Sequence, residues 1–290
     1  MPHITAGDGV KLYYEEAGQG TPILFVHEFL GEIGAWEAQM RHLSRRYLCS
    51  AYNSRGYPPS DVPERLEDYS FEHQRAGVRA VLDGLKIDKA HIVGLSMGAL
   101  ATFYFGMKWP VRGLSLTLAG VGSGSMPEAR ARFKQESEAA AERLLAEGWE
   151  NSAEARSLSP TRVQLQNKDP RGFAEFVSMV KRHSAKGSAL TLKGYQALRP
   201  SLGDFKEQMA QCRVPTLIIS GDEDEPCLDA SLMLKRHMPS AGLLFMPQTG
   251  HACNLEEPEL FNQMCERFFH QVESGQYRMR DPRATPARML

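Results

Sequence analysis

No stretch of this chain stays apolar for the ~20 residues that a bilayer-spanning helix requires, because Lys, Arg, Asp, Glu or Pro interrupts every run. The first residues do not predict a secretory leader either: Asp8, Lys11, Glu15 and Glu16 stand where a signal peptide needs apolar side chains. No excess of either charge is present, since 34 Lys+Arg oppose 35 Asp+Glu for a formal net charge of −1. That balance gives no electrostatic ground for a nucleic-acid partner. Cysteine is sparse. Cys49, Cys212, Cys227, Cys253 and Cys265 include no C-x-x-C pair, and an odd, irregular set suits reduced, buried thiols. No Cys or His pair has zinc-ligand spacing, so no metal is expected. No internal repeat is visible. These absences predict a cytoplasmic chain with a small-molecule substrate, and they leave open whether copies of it assemble.

What remains is a globular composition. The 290 residues permit one large domain or two small ones, and 42% hydrophobic residues suffice for a sizeable core. Residues 10–16 (VKLYYEE) alternate apolar and polar after a Gly-Asp-Gly turn signal, as one arm of an edge hairpin does. Residues 23–26 (ILFV) form a short continuous apolar run, the mark of a strand covered on both faces. The same theme returns at 48–52, 90–95, 114–119, 216–220 and 242–246. Between these runs, residues 35–43, 71–85, 97–108, 230–238 and 259–272 place apolar side chains three and four apart, as helices do. The alternation predicts an α/β fold with a mostly parallel sheet flanked by helices.

Residues 125–202 break the alternation and read as a helical insertion over one end of the sheet, dividing a core of 1–124 and 203–274. Within it, Trp149, Phe173, Phe176 and Met179 are candidates for an apolar lid over a small or medium acyl group. Residues 275–290, rich in Arg and carrying Pro282 and Pro286, read as a loosely ordered tail.

The chemistry concentrates at Gly94-Leu95-Ser96-Met97-Gly98, directly after an apolar run and directly before a helical one. G-x-S-x-G alone is a loose pattern. In a strand–turn–helix context it describes a turn that exposes a strained serine at the head of a helix. A serine hydroxyl needs a base, and the base needs an orienting carboxylate. Of the downstream histidines, His251 follows Gly250 on a loop between the last strand and the last helix, at the same sheet edge as the serine. His183, His237 and His270 read as surface histidines at helix C-termini. The acid comes from Asp222-Glu223-Asp224-Glu225 after the strand at 216–220: Asp224 is the choice because the loop has turned back by then, with Asp222 second.

With His27-Glu28-Phe29-Leu30-Gly31, residues 53–61 (NSRGYPPSD), the Ser96 elbow, Val214-Pro215 leading to Gly221-Asp222-Glu223-Asp224, and Gly250-His251, the chain resembles the α/β-hydrolase superfamily over nearly its whole length. The resemblance implies an α/β-hydrolase fold with a helical cap, Ser96 as nucleophile, Asp224 as acid, His251 as base, and the backbone N–H groups of Phe29 and Met97 as an oxyanion hole. It calls for no cofactor. It implies a serine esterase acting on a carboxylic ester, lactone or thioester; a C–C bond hydrolase, a cofactor-free oxygenase or perhydrolase, and a ligand-binding receptor that keeps the triad are the alternatives. One departure stands out. Family members usually have His-Gly where this chain has His27-Glu28, so Glu28 is either a solvated loop carboxylate or a polar contact to substrate.

Overall fold

The computed structural model describes residues 1–284. Its strands are β1 His3–Thr5, β2 Lys11–Ala17, β3 Pro22–Val26, β4 Leu48–Tyr52, β5 Ala90–Leu95, β6 Gly113–Ala119, β7 Thr216–Gly221 and β8 Ala241–Met246. They form one eight-stranded sheet in the order β1-β2-β4-β3-β5-β6-β7-β8. Only β2 runs against the rest, and β4-β3-β5-β6-β7-β8 are all parallel neighbours. β1 is three residues long, too short to show a period in the sequence.

The core helices are α1 Glu37–Leu43, α2 Phe71–Gly84 and α3 Met97–Lys108. Between β6 and β7 the chain departs into α4 Arg130–Ser157, broken at Gly148, then α5 Val163–Lys168, α6 Pro170–Lys181, α7 Ala185–Leu190 and α8 Lys206–Gln211. It returns through α9 Glu225–His237, α10 Cys253–Glu256 and α11 Pro258–Glu273. α9 begins earlier than its apolar period suggests, since its first turn is made by the polar Glu225 and by Pro226, whose missing N–H is no loss there.

The continuous apolar runs follow from burial on both faces of the sheet. Leu24, Val26, Ile92 and Ile218 pack into one apolar layer with α2, α3 and α9. Their neighbours Ile23, Phe25, Val93 and Ile219 pack into the other, with α1 and α11. A parallel sheet so covered presents only its strand ends, and the C-terminal ends of β3, β5, β7 and β8 lead into the loops described next. All five cysteines are free and buried.

Residues 275–281, expected to be loose, are tied to the core: the Tyr277 hydroxyl donates to the carbonyls of Thr216 (2.9 Å) and Ser240 (3.1 Å), and Arg280 donates to those of Lys235 and Arg236. Residues 285–290, with Pro286 and Arg288, lie outside the described residues. Among the described residues no helix is long and apolar enough to cross a membrane.

Candidate active site

β5 ends at Leu95 and α3 starts at Met97, leaving Ser96 as the whole turn. Its backbone sits at φ 54°, ψ −110°, a strained conformation for a residue with a Cβ. The turn is held by the Ser96 N–H, which donates to the Ala119 carbonyl at 2.8 Å. Gly98 is required because a Cβ there would lie 2.1 Å from the Val26 carbonyl oxygen, so α3 can start against the end of β3 only with glycine.

The loop after β3 carries His27, Glu28 and Phe29. His27 is fully buried; its Nε2 accepts the Ser54 N–H at 2.9 Å, so Nδ1 carries the hydrogen and donates to the Glu28 carbonyl at 2.7 Å. Burial pushes its pKa down to about 4, and the ring works as a neutral brace. Two buried tyrosines hold the expected oxyanion residues: the Tyr57 hydroxyl donates to the Phe29 carbonyl (2.8 Å) and that of Tyr195 to the Met97 carbonyl (3.1 Å). Met97, as the first residue of α3, has an N–H without a partner inside the helix.

Asp224 alone of the four acids after β7 is buried; Asp222, Glu223 and Glu225 are exposed. Its Oδ2 lies 2.7 Å from His251 Nδ1. Burial raises the Asp224 carboxyl, but the charge and hydrogen bond of His251 outweigh it and hold the group below the usual carboxylate range. For His251 burial acts downward, and Asp224 lifts the imidazole above its ordinary value. Asp222 instead accepts the Thr249 N–H at 3.2 Å and steadies the histidine loop.

Ser96, Met97, Phe29, Glu28, Asp224 and His251 all line one cavity of about 520 Å³. Among the described residues neither the Ser96 hydroxyl nor His251 Nε2 is engaged in a hydrogen bond, so both face the cavity uncommitted.

Behind the imidazole, Cys227 Sγ lies 3.9 Å from Nδ1 and donates to the Gly120 carbonyl at 3.3 Å. Asp224, Cys227 and His251 thus offer O, S and N atoms within 4.8 Å of one another. Burial holds the thiol well above its ordinary pKa, which keeps it protonated and a poor ligand, and the other two atoms are spent on their mutual bond.

The insertion contributes more than its sequence suggests. The His251 N–H donates to the Thr161 carbonyl at 2.7 Å. Gly250 permits that approach, because a Cβ there would stand 2.2 Å from the same oxygen. Next in sequence, Arg162 forms a buried ion pair with Glu28 Oε2, while Glu28 Oε1 has no partner. Glu28 is therefore no solvated loop carboxylate. Neither Thr161 nor Arg162 carries a motif that marks it.

Two further expectations are corrected. His183 is a buried residue, not a surface one; its ring meets Tyr57 and Trp149 edge-on, with centroids 5.3 and 6.1 Å away. Trp149, Phe173, Phe176 and Met179 do not face the cavity but pack with Leu144, Leu165 and Val180 of the insertion and with Leu30, Ala35 and Ala252 beneath it, filling the seam between insertion and core. The apolar wall is supplied by Phe133, Ala140, Leu158, Pro160 and Leu192.

Residues 21–258 match the family model described as alpha/beta hydrolase fold. The chain is 25% identical over 280 residues to 3-oxoadipate enol-lactonase 1 of Acinetobacter baylyi, covering 93% of this chain and 97% of that one. It is 25% identical over 272 residues to a 2-hydroxy-6-oxo-6-phenylhexa-2,4-dienoate hydrolase of Burkholderia cepacia, covering 88% and 89%. Among solved structures, the enol-lactonase of Burkholderia xenovorans superimposes with a TM-score of 0.79 at 21% identity, over 93% of this chain and 100% of that chain.

Proposed function

The chain belongs to the α/β-hydrolase fold family, and from that premise we propose that it is a serine hydrolase cleaving a small or medium carboxylic ester or lactone through Ser96, His251 and Asp224. The observation that carries this reading is the buried 2.7 Å contact between His251 Nδ1 and Asp224 Oδ2, in the same cavity as the strained Ser96 turn. With Nδ1 committed to the carboxylate, Nε2 is the nitrogen available to a hydroxyl, and its hydrogen bond to Ser96 forms as substrate fills the cavity.

Ser96 Oγ attacks the carbonyl carbon and its proton passes to His251 Nε2. Collapse of the tetrahedral adduct expels the alcohol, which takes that proton and leaves an acyl-serine. Water then adds by the same route, with the proton again held on Nε2, and the acid is released. The negative oxygen of each adduct is met by the N–H groups of Phe29 and Met97; removing one such donor costs ~10²–10³ in turnover. Asp224 stays ionised throughout and stabilises the imidazolium. Lactones fit the reading as well as esters do, and the two relatives above are named for an enol-lactone and for a 2-hydroxy-6-oxo-6-phenylhexa-2,4-dienoate.

The test is a panel of p-nitrophenyl esters, lactones and thioesters read beside Ser96→Ala, with mass spectrometry after fluorophosphonate treatment. Turnover lost in the variant by about 10³-fold or more, with the label on Ser96, is the expected result. Equal turnover in Ser96→Ala, or ligand binding without turnover across the whole panel, overturns the reading.

A further inference from the structure

The charges lining the cavity are not all paired. Three carboxylates face it, and each has a partner: Asp224 is bound to His251 at 2.7 Å, Glu28 to Arg162, and Glu136 to Arg132 at 3.2 Å. Three guanidiniums face it too, and only that of Arg162 has a carboxylate. Arg156 donates to the Ala140 carbonyl at 3.2 Å and lies 5.8 Å from the Trp149 ring; Arg143 and Glu147 act on it in opposite senses. Arg199 donates to the Ser123 carbonyl and, at 3.3 Å, to Ser125 Oγ, and it stacks 4.7 Å over Phe133. Its Nε has no partner, and the residue is only 3% exposed.

A buried charge without a counter-charge is costly. Arg199 is that case, with Arg130 adding a like charge beside it. Among the described residues no carboxylate lies within ion-pair distance of Arg199 or of Arg130. Asp204 acts on Arg130 from beyond that distance, whereas the backbone carbonyls around Arg199 satisfy hydrogen bonds but bring no net negative charge, so the charge on Arg199 stays uncompensated. A guanidinium offers a planar fork that fits a carboxylate in two-pronged fashion, and such charge-assisted pairs are the strong ones in a water-poor site.

We propose that the substrate is an anion: an ester or lactone bearing a free carboxylate that seats on Arg199, with Arg156 as the second positive group of the same cavity. This rests on the reading of the chain as a serine hydrolase. It narrows that reading by assigning the substrate's charge and the residue that binds it. Arg199 is a specificity determinant that shares the cavity with Ser96 and His251; the carboxylate and the scissile carbonyl are two ends of one small molecule within about 520 Å³.

The experiment compares matched pairs: a monoester of a dicarboxylic acid against its diester, and a carboxylated lactone against its methyl ester. The readout is the ratio of kcat/KM for the acid to that for its neutral partner. Wild type should favour the acid by roughly tenfold or more, the scale of one charged hydrogen-bonded pair. In Arg199→Gln the ratio should collapse towards one, with the loss in KM, and Arg199→Lys should retain part of it. A wild-type ratio at or below one, or a ratio unmoved in Arg199→Gln, overturns the proposal.

Should the glutamine variant fail to fold, Arg199→Lys and Arg156→Gln supply the same comparison. Should the protein turn over no ester or lactone, the hydrolase reading fails separately, and calorimetry decides the anion site. Glutarate binding to wild type at least about tenfold tighter than its diamide, and weakened in Arg199→Lys, supports the site. Equal binding of acid and amide refutes it.

Discussion

Arg162, on the helical insertion, closes a buried ion pair with Glu28, 134 positions earlier on the loop that lines the Ser96 cavity. The pair joins the two halves of the cavity wall. Breaking it from one side leaves an uncompensated charge where water does not reach. Arg162→Met should therefore lower stability by about 3–5 kcal/mol, whereas Arg162→Met with Glu28→Gln should regain most of that loss. Urea denaturation of the two single variants and the double variant measures the coupling; purely additive losses would refute it.

Asp224 lifts the pKa of His251, and in the mechanism we propose the imidazole must be neutral to accept the serine proton. Activity should consequently fall as pH drops through that raised value. Asp224→Asn removes the charge that lifts it, so the acidic limb of kcat/KM should move to lower pH. The plateau should fall by about 10³–10⁴-fold, because the ring loses its orienting partner. A limb that stays in place in the variant would show that another group sets it.

Tyr57 braces the Phe29 carbonyl at 2.8 Å from a fully buried position. In Tyr57→Phe that carbonyl loses its donor at a cost of about 1–3 kcal/mol, and the neighbouring N–H loses its fixed aim. The fall should appear in kcat, at roughly tenfold, smaller than outright loss of an oxyanion donor, while KM changes little. An equal effect on KM would point to a packing role instead.

The Ser96 backbone is strained whatever its side chain does. Ser96→Gly removes the strain with the hydroxyl and should melt above Ser96→Ala by the equivalent of about 1 kcal/mol, both being inactive. Thermal melts of the two variants check this, and equal midpoints would argue that the turn is relaxed.

His183 has its pKa pushed down to about 3 by burial, with the charges of His27 and Arg182 acting in the same direction. Its folded value lies below its unfolded one, so the unfolded chain takes the proton first. Stability should be lost as pH falls from about 6.5 towards 3, and not above that window. His183→Gln should flatten the decline by an amount on the order of a few kcal/mol, read by chemical denaturation at successive pH values.

The sheet was readable because burial on both faces forces unbroken apolar runs, as at residues 23–26 and 90–95. The elbow was readable because the steric demand of a one-residue turn selects glycine on either side of Ser96. What stayed hidden was pairing at a distance. Arg162 has no local signature, and its meaning lies wholly in Glu28. The amphipathic pattern at Phe173–Phe176 correctly marks an apolar face, but a period does not say which neighbour covers it; here the neighbours are the rest of the insertion and Leu30, Ala35 and Ala252 of the core rather than substrate. His183 was misplaced for a similar reason: two charged residues precede it, and only the fold turns its ring inward against Tyr57 and Trp149.

The contact from Thr161 to the His251 backbone has a practical side for anyone wishing to retarget the protein. Exchanging the whole run of helices for a foreign one would cut the suspension of the His251 loop along with the old walls. A graft that spares Pro160, Thr161 and Arg162, and alters only the segments before and after them, keeps that suspension while the walls are rebuilt.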